Sequence, residues 1–518
     1  MISFLNKKRL TLLSAFMLYF ITGTIHTWPA VSSYLYSYLN HYKPDSFTIS
    51  YLEVIFSLVN VINSIFIPIG VFLSQKTNPI LIIGTGLILI NLAKAMFIYF
   101  PFITPITFAL CVCSIGCGLA YMPPLVCLWK YYPTRKGSMT SIALSGFGLN
   151  RLMFKYVSVR MINPQGEAPL PERDRYSSEI NHNFKVYLEK SLVFFGVLSV
   201  LSILMLYPYE PKCKDQKSNS LNDNKLTQHK RCVLSMSHNN AKKYSDDFNY
   251  CKYTYNTNST VINAANNDNK HSNMYYDYNS DDYISFTNSA HTMSMLNSKA
   301  AVSIGALIVS YPFIQLTFIF FFAMVFGAIE LASMKKFGLL NGYDEKFLSI
   351  SSFVWKLTNA SCFCVWGCLL DKYGFKSVYM FLMLTQIGIC SSCYFTSKYK
   401  IGFVLYNIVS AVVNSGNLSI SPTSFALAFG SENGAMLHSL SSILFNTFYM
   451  CRPLISNLVT LKVHFLIFYL IITLFSMLAL IILCFFDPNP NERKTSRRTV
   501  SNVRTVFPFQ SRKKTFLE

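Results

Sequence analysis

Charge is what this chain has least of. Only 13% of its 518 residues are Asp, Glu, Lys or Arg, where a soluble chain carries about a quarter. That deficit excludes a string of ordinary soluble domains. Acids are the scarcer sign, 24 against 45 Lys and Arg, for a formal net charge of +21. Such a balance can mean nucleic acid, but here the basic residues gather in a few short loops and two tails, the placement that membrane insertion produces. No nucleophile–base pair and no metal-ligand cluster stands out, so no enzyme, no cofactor, no metal site and no nucleic-acid partner is expected. The first apolar stretch, after "NKKR", lacks a small-residue cleavage site and is too long for a signal peptide, so it reads as a retained helix.

What the chain has in abundance is long apolar runs, such as "FIQLTFIFFFAMVFGAIELASM" and "FLIFYLIITLFSMLALIILCFF". A hydrocarbon core about 30 Å thick needs roughly 20 apolar residues of helix, and both runs suffice. Hydrophobic segments fall at about 10–36, 50–74, 79–98, 104–129, 138–160 and 186–208, then at about 312–334, 347–370, 377–397, 401–427, 435–460 and 463–486. The expected fold is therefore all-α and integral to the membrane, with twelve transmembrane helices in two sets of six. The expected organisation is an N-terminal bundle over 1–209, an Asn-rich linker over 210–299, a C-terminal bundle over 300–486 and a basic tail over 487–518. The linker, with "STVINAANNDNKHSNMYYDYNSDDY", has no helical or strand period and too few aliphatics for a core, and reads as disordered.

The cysteine runs "CVCSIGC" and "CFCVWGC" share a spacing. Residues two apart on a helix point to nearly opposite sides, so only the pairs four apart share a face, and close helix packing is the reading preferred over a metal. Loop charges set the orientation. "NKKR", Lys76, "KYYPTRKG", the linker, "DKYGFK" and the tail fall on one side, so both termini are expected in the cytosol. "MKKFGLLNGYDEK", with Lys335 and Lys336, is the exception on the outer side. The basic tail is also suited to anionic lipid.

Between two helices of the second half stands "GCLLDKYGFK", with Gly367, Asp371, Lys372, Gly374 and Lys376. It resembles the major facilitator signature: a Gly for helix approach, an acid placed near a helix end, and a Gly that permits a tight turn. Together they would form a conformational clasp. The corresponding place in the first half reads "GVFLSQKTNP", with Gly70 but with Ser74 where the acid would be. The resemblance implies two pseudo-symmetric six-helix bundles, the major facilitator fold, around a central site. "GTIHTWPAVSSYL", "WKYYPTRKGSMTSIALSGFGL" and "FGSENGAMLHSLSSILFNTFYMCRP" look like the oxalate–formate antiporter and monocarboxylate transporter branch. The Asn-rich linker is of a style frequent in apicomplexan members. That branch moves small organic anions, by exchange or with a proton.

Inside the segments the bases outnumber the acids. Arg151 lies in the middle third of the fifth segment, with Lys155 one turn further on the same face. Lys356 lies near the midplane of the eighth, Arg452 in the outer part of the eleventh, and His26 near the middle of the first, beside Trp28. A charge at mid-bilayer costs at least about 2.5–3.5 kcal/mol on insertion scales, so a wet cavity is the expected surrounding. Arg151, Lys356, His26, Trp28, Arg452 and Lys155 are the candidate substrate contacts, and Glu330 and His26 the candidate proton carriers. Bland readings stand beside these. Arg151 as a structural charge, Lys155 and Lys94 as snorkelling side chains, Arg452 with Glu330 as an outer gate, and His26 as a packing residue all remain open.

In that branch a helix-11 lysine serves the substrate, and here Phe445 stands about where it would be. A monocarboxylate such as lactate, pyruvate or pantothenate therefore suits the chain better than a dicarboxylate, with a proton or counter-anion as coupling partner. The rival cargoes are an amino acid, a sugar or a drug. A non-transporting receptor or scaffold is the rival class. A monomer in the plasma membrane is expected, an organelle membrane being the alternative host.

Overall fold

The computed structural model describes residues 2–26, 28–42, 49–167, 176–209, 304–450 and 462–486. Every element among them is helical. The first half holds α1 (Ile2–Thr22), α2 (Ser32–Tyr42), α3 (Ile49–Lys76), α4 (Pro79–Tyr99), α5 (Ile103–Tyr121), α6 (Pro123–Tyr131), α7 (Lys136–Ile162) and α8 (Ser178–Leu204). The second half holds α9 (Ile304–Ile308), α10 (Tyr311–Leu340), α11 (Glu345–Tyr373), α12 (Phe375–Thr396), α13 (Lys400–Phe429), α14 (Ser431–Tyr449) and α15 (Lys462–Phe485). Both halves fall in one compact unit.

Among the described residues nine helices are long and apolar enough to cross a membrane, α5 and α6 counting as one. The segments that fall short are the polar ones. α1 carries Lys7, Lys8 and Arg9, α7 carries Arg151, Lys155 and Arg160, and α14 carries Glu432, His438 and several serines. Helix ends follow local chemistry. Asn78 caps α4 ahead of Pro79, and Asp344 caps α11 by accepting the Phe347 N–H at 3.2 Å, which serves amide groups that have no partner within the helix.

Two expected helices are interrupted. The first segment runs as α1, then 3-10 turns over Gly23–His26 and Trp28–Val31, then α2. Pro29 has no N–H to give, so the α ladder cannot continue through it. The fourth segment breaks at Met122, where Pro123 and Pro124 open α6.

The halves meet along α7 and α11, which run antiparallel. Gly137 lies against Asp371, Gly367 against Ser141 and the Gly137 carbonyl, and Gly148 against Ala360. Each step forward on α7 is thus matched by an equal step back on α11, which sets Arg151 level with Leu357 and next to the level of Lys356. At 1.5 Å per residue, that level is about 20 Å from Asp371. A Cβ on Gly367 would run into the Ser141 side chain and the Gly137 carbonyl. Gly367→Val is expected to lower the melting temperature of the detergent-purified protein by at least about 4 °C through overpacking. Gly388→Val, where a Cβ meets nothing within 4 Å, serves as the control and should shift it far less.

Candidate functional site

The amino end of α7 is capped from the other half of the protein. Asp371 accepts the Gly137 N–H on Oδ1 at 2.8 Å and the Ser138 N–H on Oδ2 at 2.7 Å, and Oδ2 also accepts the Ser138 hydroxyl at 2.6 Å. A carboxylate there satisfies orphan amides and meets the positive end of the helix dipole. Gly374 ends α11 at φ 78°, a left-handed turn that favours glycine,. Lys376 then donates to the Cys484 carbonyl at 2.8 Å and to the Phe486 carbonyl at 3.3 Å, at the end of α15. Lys372 is exposed and lies 5.0 Å over the Tyr373 ring.

Among the described residues of the first half, no such carboxylate caps the matching helix end. Ser74 donates to its own helix at Val71. The amino end of α14 is reached instead by Gln75, which donates to the Glu432 carbonyl at 3.3 Å, and by Lys130, paired with Glu432 at 2.7 Å. Lys136 adds a hydrogen bond to the Ala426 carbonyl at 3.1 Å. This end of the molecule is tied by both halves.

At mid-depth the interruption of α1 meets α5 and α7. Asn150 donates to the Phe20 carbonyl at 2.7 Å, and the Cys117 thiol donates to the Thr22 carbonyl at 3.8 Å. Irregular backbone at membrane depth is tolerated when protein groups take its carbonyls in this way. Arg151 follows Asn150, half-buried, with its guanidinium 4.8 Å from the centre of the Phe147 ring, a cation–π distance.

Across the crossing lies a cavity of about 370 Å³ lined by α10, α11 and α13, including Glu330, Ser351, Trp355, Lys356 and Asn407. Its wall is ordered by hydrogen bonds. The Trp355 indole N–H is shared between Glu330 Oε1 at 3.3 Å and Ser410 Oγ at 3.0 Å. Asn407 Nδ2 donates to Ser351 Oγ and to the Phe403 carbonyl, both at 2.9 Å. Glu330 is 2% exposed, and its Oε2 has no hydrogen-bond partner. At the cavity's outer rim are Lys335 and Glu345, an exposed ion pair at 3.3 Å. The rim sits at the end where α11 begins, opposite the Asp371 cap.

The structure therefore sets Arg151 and Lys356 at neighbouring levels and puts Lys356 in one cavity with Glu330. It does not bring Trp28 to them, because that ring stacks on Phe97 at 4.3 Å within the first half's core. His26 closes a 3-10 turn. The side chains of His26 and Lys155, and all of Arg452, lie outside the described residues, and so does the expected Glu330–Arg452 pairing. Sequence reasoning missed Trp355, Asn407 and Ser351. Ser351 and Trp355 are four apart on α11, a shared helical face that was there to be read.

Lys94 corrects an expectation. A snorkelling lysine would reach toward the membrane surface. Lys94 is 6% exposed, its ammonium nitrogen lies 3.1 Å from the centre of the Phe195 ring, and it has no hydrogen-bond acceptor. Its face of α4 is covered by α5 and α8, so the side chain has no route to water.

Residues 312–516 match the family model of the Major Facilitator Superfamily. The fold is similar to that of the proton:xylose symporter XylE bound to 6-bromo-6-deoxy-D-glucose, with a TM-score of 0.57 at 12% identity over 93% of this chain and 95% of that one. At that identity the likeness carries the fold alone. Apicoplast pyruvate carrier 1 of Toxoplasma gondii is 36% identical over 56 residues, which are 11% of this chain and 10% of that carrier. The chain thus matches about a tenth of that carrier's length. The family model thus covers the second half of the chain, and the likeness in fold to a major facilitator superfamily protein extends over both halves.

Asp371→Asn puts an amide donor against helix amides and removes the charge, and is expected to lower the melting temperature by about 3–6 °C. Lys372→Gln should leave it within about 1 °C. Lys94→Met replaces a buried amine lacking an acceptor with an apolar chain of like length. A rise of about 2–4 °C is expected in the same assay, with no gain from Lys94→Gln.

Proposed function

We propose that this chain is a secondary transporter of a small monocarboxylate, working by alternating access between its two six-helix halves. The observation that carries the reading is the placement of Lys356 in a cavity of about 370 Å³, with Arg151 at the neighbouring level of the facing helix. Charged groups at membrane depth are costly and mark substrate paths by default. Two bases at one level suit an anion, and a carboxylate is the simplest anion that guanidinium and ammonium bind with charge-assisted hydrogen bonds. The cavity has room for a molecule of the size of pyruvate, lactate or pantothenate. The short stretch shared with the pyruvate carrier adds support for that class.

On this reading the Asp371 cap and the Lys130–Glu432 pair hold one end shut while the cavity meets the other, and their release exchanges the two. The shut end faces the cytosol by the distribution of Lys and Arg, and a proton or a counter-anion completes the cycle.

In liposomes holding the purified protein, counterflow of labelled pyruvate, lactate and pantothenate is expected for at least one of them. Arg151→Gln and Lys356→Gln should each reduce it at least about 10-fold, the loss of one charge-assisted contact. Lys398→Gln, at an exposed position, should leave it unchanged. Counterflow of neutral sugars with none of any carboxylate would overturn the reading.

A further inference from the structure

Among the described residues that line the cavity, the bases are Lys335 and Lys356 and the acids are Glu330 and Glu345. Glu330 is buried, with the Trp355 indole on its Oε1. Lys335 and Glu345 stand at the rim, 3.3 Å apart, with side chains 69% and 77% exposed, so both are open to a solute from that end. The neighbouring acid, Asp344, is occupied in capping α11. Glu345 opens α11 and Lys356 lies eleven residues further along it, a rise of about 16 Å. A molecule of pyruvate or lactate cannot touch both lysines at once, and one entering from this end meets Lys335 first. An exposed ion pair is worth little, because water screens it and two long side chains must be held in place. A carboxylate from solution therefore displaces Glu345 from Lys335 at small cost, exchanging one ammonium–carboxylate contact for another. The same weakness lets it leave again for the deeper base.

We propose that Lys335 is a rim station for the carboxylate of the cargo, and that Glu345 is its internal competitor, holding the ammonium until a carboxylate from solution takes its place. The inference rests on the monocarboxylate reading above and adds a binding site outside Lys356 and Arg151. A neutral sugar offers nothing in exchange for the broken pair, so the rim favours anions before the deeper base is reached. Selection by charge thus begins at the mouth, with an acid of the protein standing in for the ligand.

The test is the half-saturating concentration for counterflow of labelled pyruvate, L-lactate and pantothenate in liposomes at low salt, read on whichever the full chain exchanges. Glu345→Gln releases Lys335 and should lower that concentration at least about 2-fold with the maximal rate unchanged, within the range an exposed pair spans. A gain of this kind cannot come from a variant that has lost its fold. Lys335→Gln should raise the concentration by as much. In the double variant the gain from Glu345→Gln should vanish, because no ammonium is left to release, whereas relief of a merely repelling charge would survive there. Salt at about 0.5 M should erase the gain as well. A half-saturating concentration unmoved or raised by Glu345→Gln would overturn the inference while leaving the monocarboxylate reading in place, and so would a gain that persists in the double variant. Exchange of none of the three by the full chain would overturn both.

Discussion

A helix that begins inside a bundle leaves backbone N–H groups without partners, and α7 leaves them at the junction of the two halves. Asp371 takes two of them and a serine hydroxyl with one carboxylate. Charge, dipole and hydrogen bonding act together there, which is why a single side chain can register two long helices. The small residues follow from that registration. Gly137, Gly148 and Gly367 let α7 and α11 touch along their length, and the contact fixes which residues of α11 stand level with Arg151.

The mid-depth charges depend on the same registration. Arg151 borrows a ring face from Phe147, Lys356 borders a cavity, and α1 gives up its regular ladder where it passes Asn150. Each of these would be costly facing lipid and is tolerable facing a polar interior. Lys94 shows the contrary case. It is packed between helices against a ring and is buried without a hydrogen-bond acceptor. Burial alone does not separate a base beside a cavity from a trapped one. The neighbouring faces do.

That difference explains what the sequence could show. The helices are legible because bilayer thickness sets a length that a run of apolar residues must reach, and each of the twelve segments has a helix among the described residues. Asp371 stands out because its motif is local. The helix end it reaches is more than two hundred residues away, and nothing local specifies it. The interruptions at Pro29 and at Pro123 and Pro124 were written in residues of known effect, but proline is common in membrane helices and marks breaks there less sharply. The cavity is the least legible feature, because Glu330, Trp355 and Asn407 come from three helices and meet only when α10, α11 and α13 pack.

The missing acid at Ser74 has a structural answer that pseudo-symmetry alone would not supply. If the first half repeated the second, the amino end of α14 would be capped by a carboxylate from the α3–α4 turn. Instead α14 carries its own acid, Glu432, in its first turn, and the first half answers with Lys130 and the Gln75 amide. Reversing which side holds the charge keeps the attraction but changes its strength. The Asp371 contact is partly buried and served by three donors, whereas the Lys130–Glu432 pair is exposed and therefore screened by salt. The joint between the halves is unequal, firm at α7 and loose at α14. On the transport reading, the loose side is where an opening that must be reversible can begin.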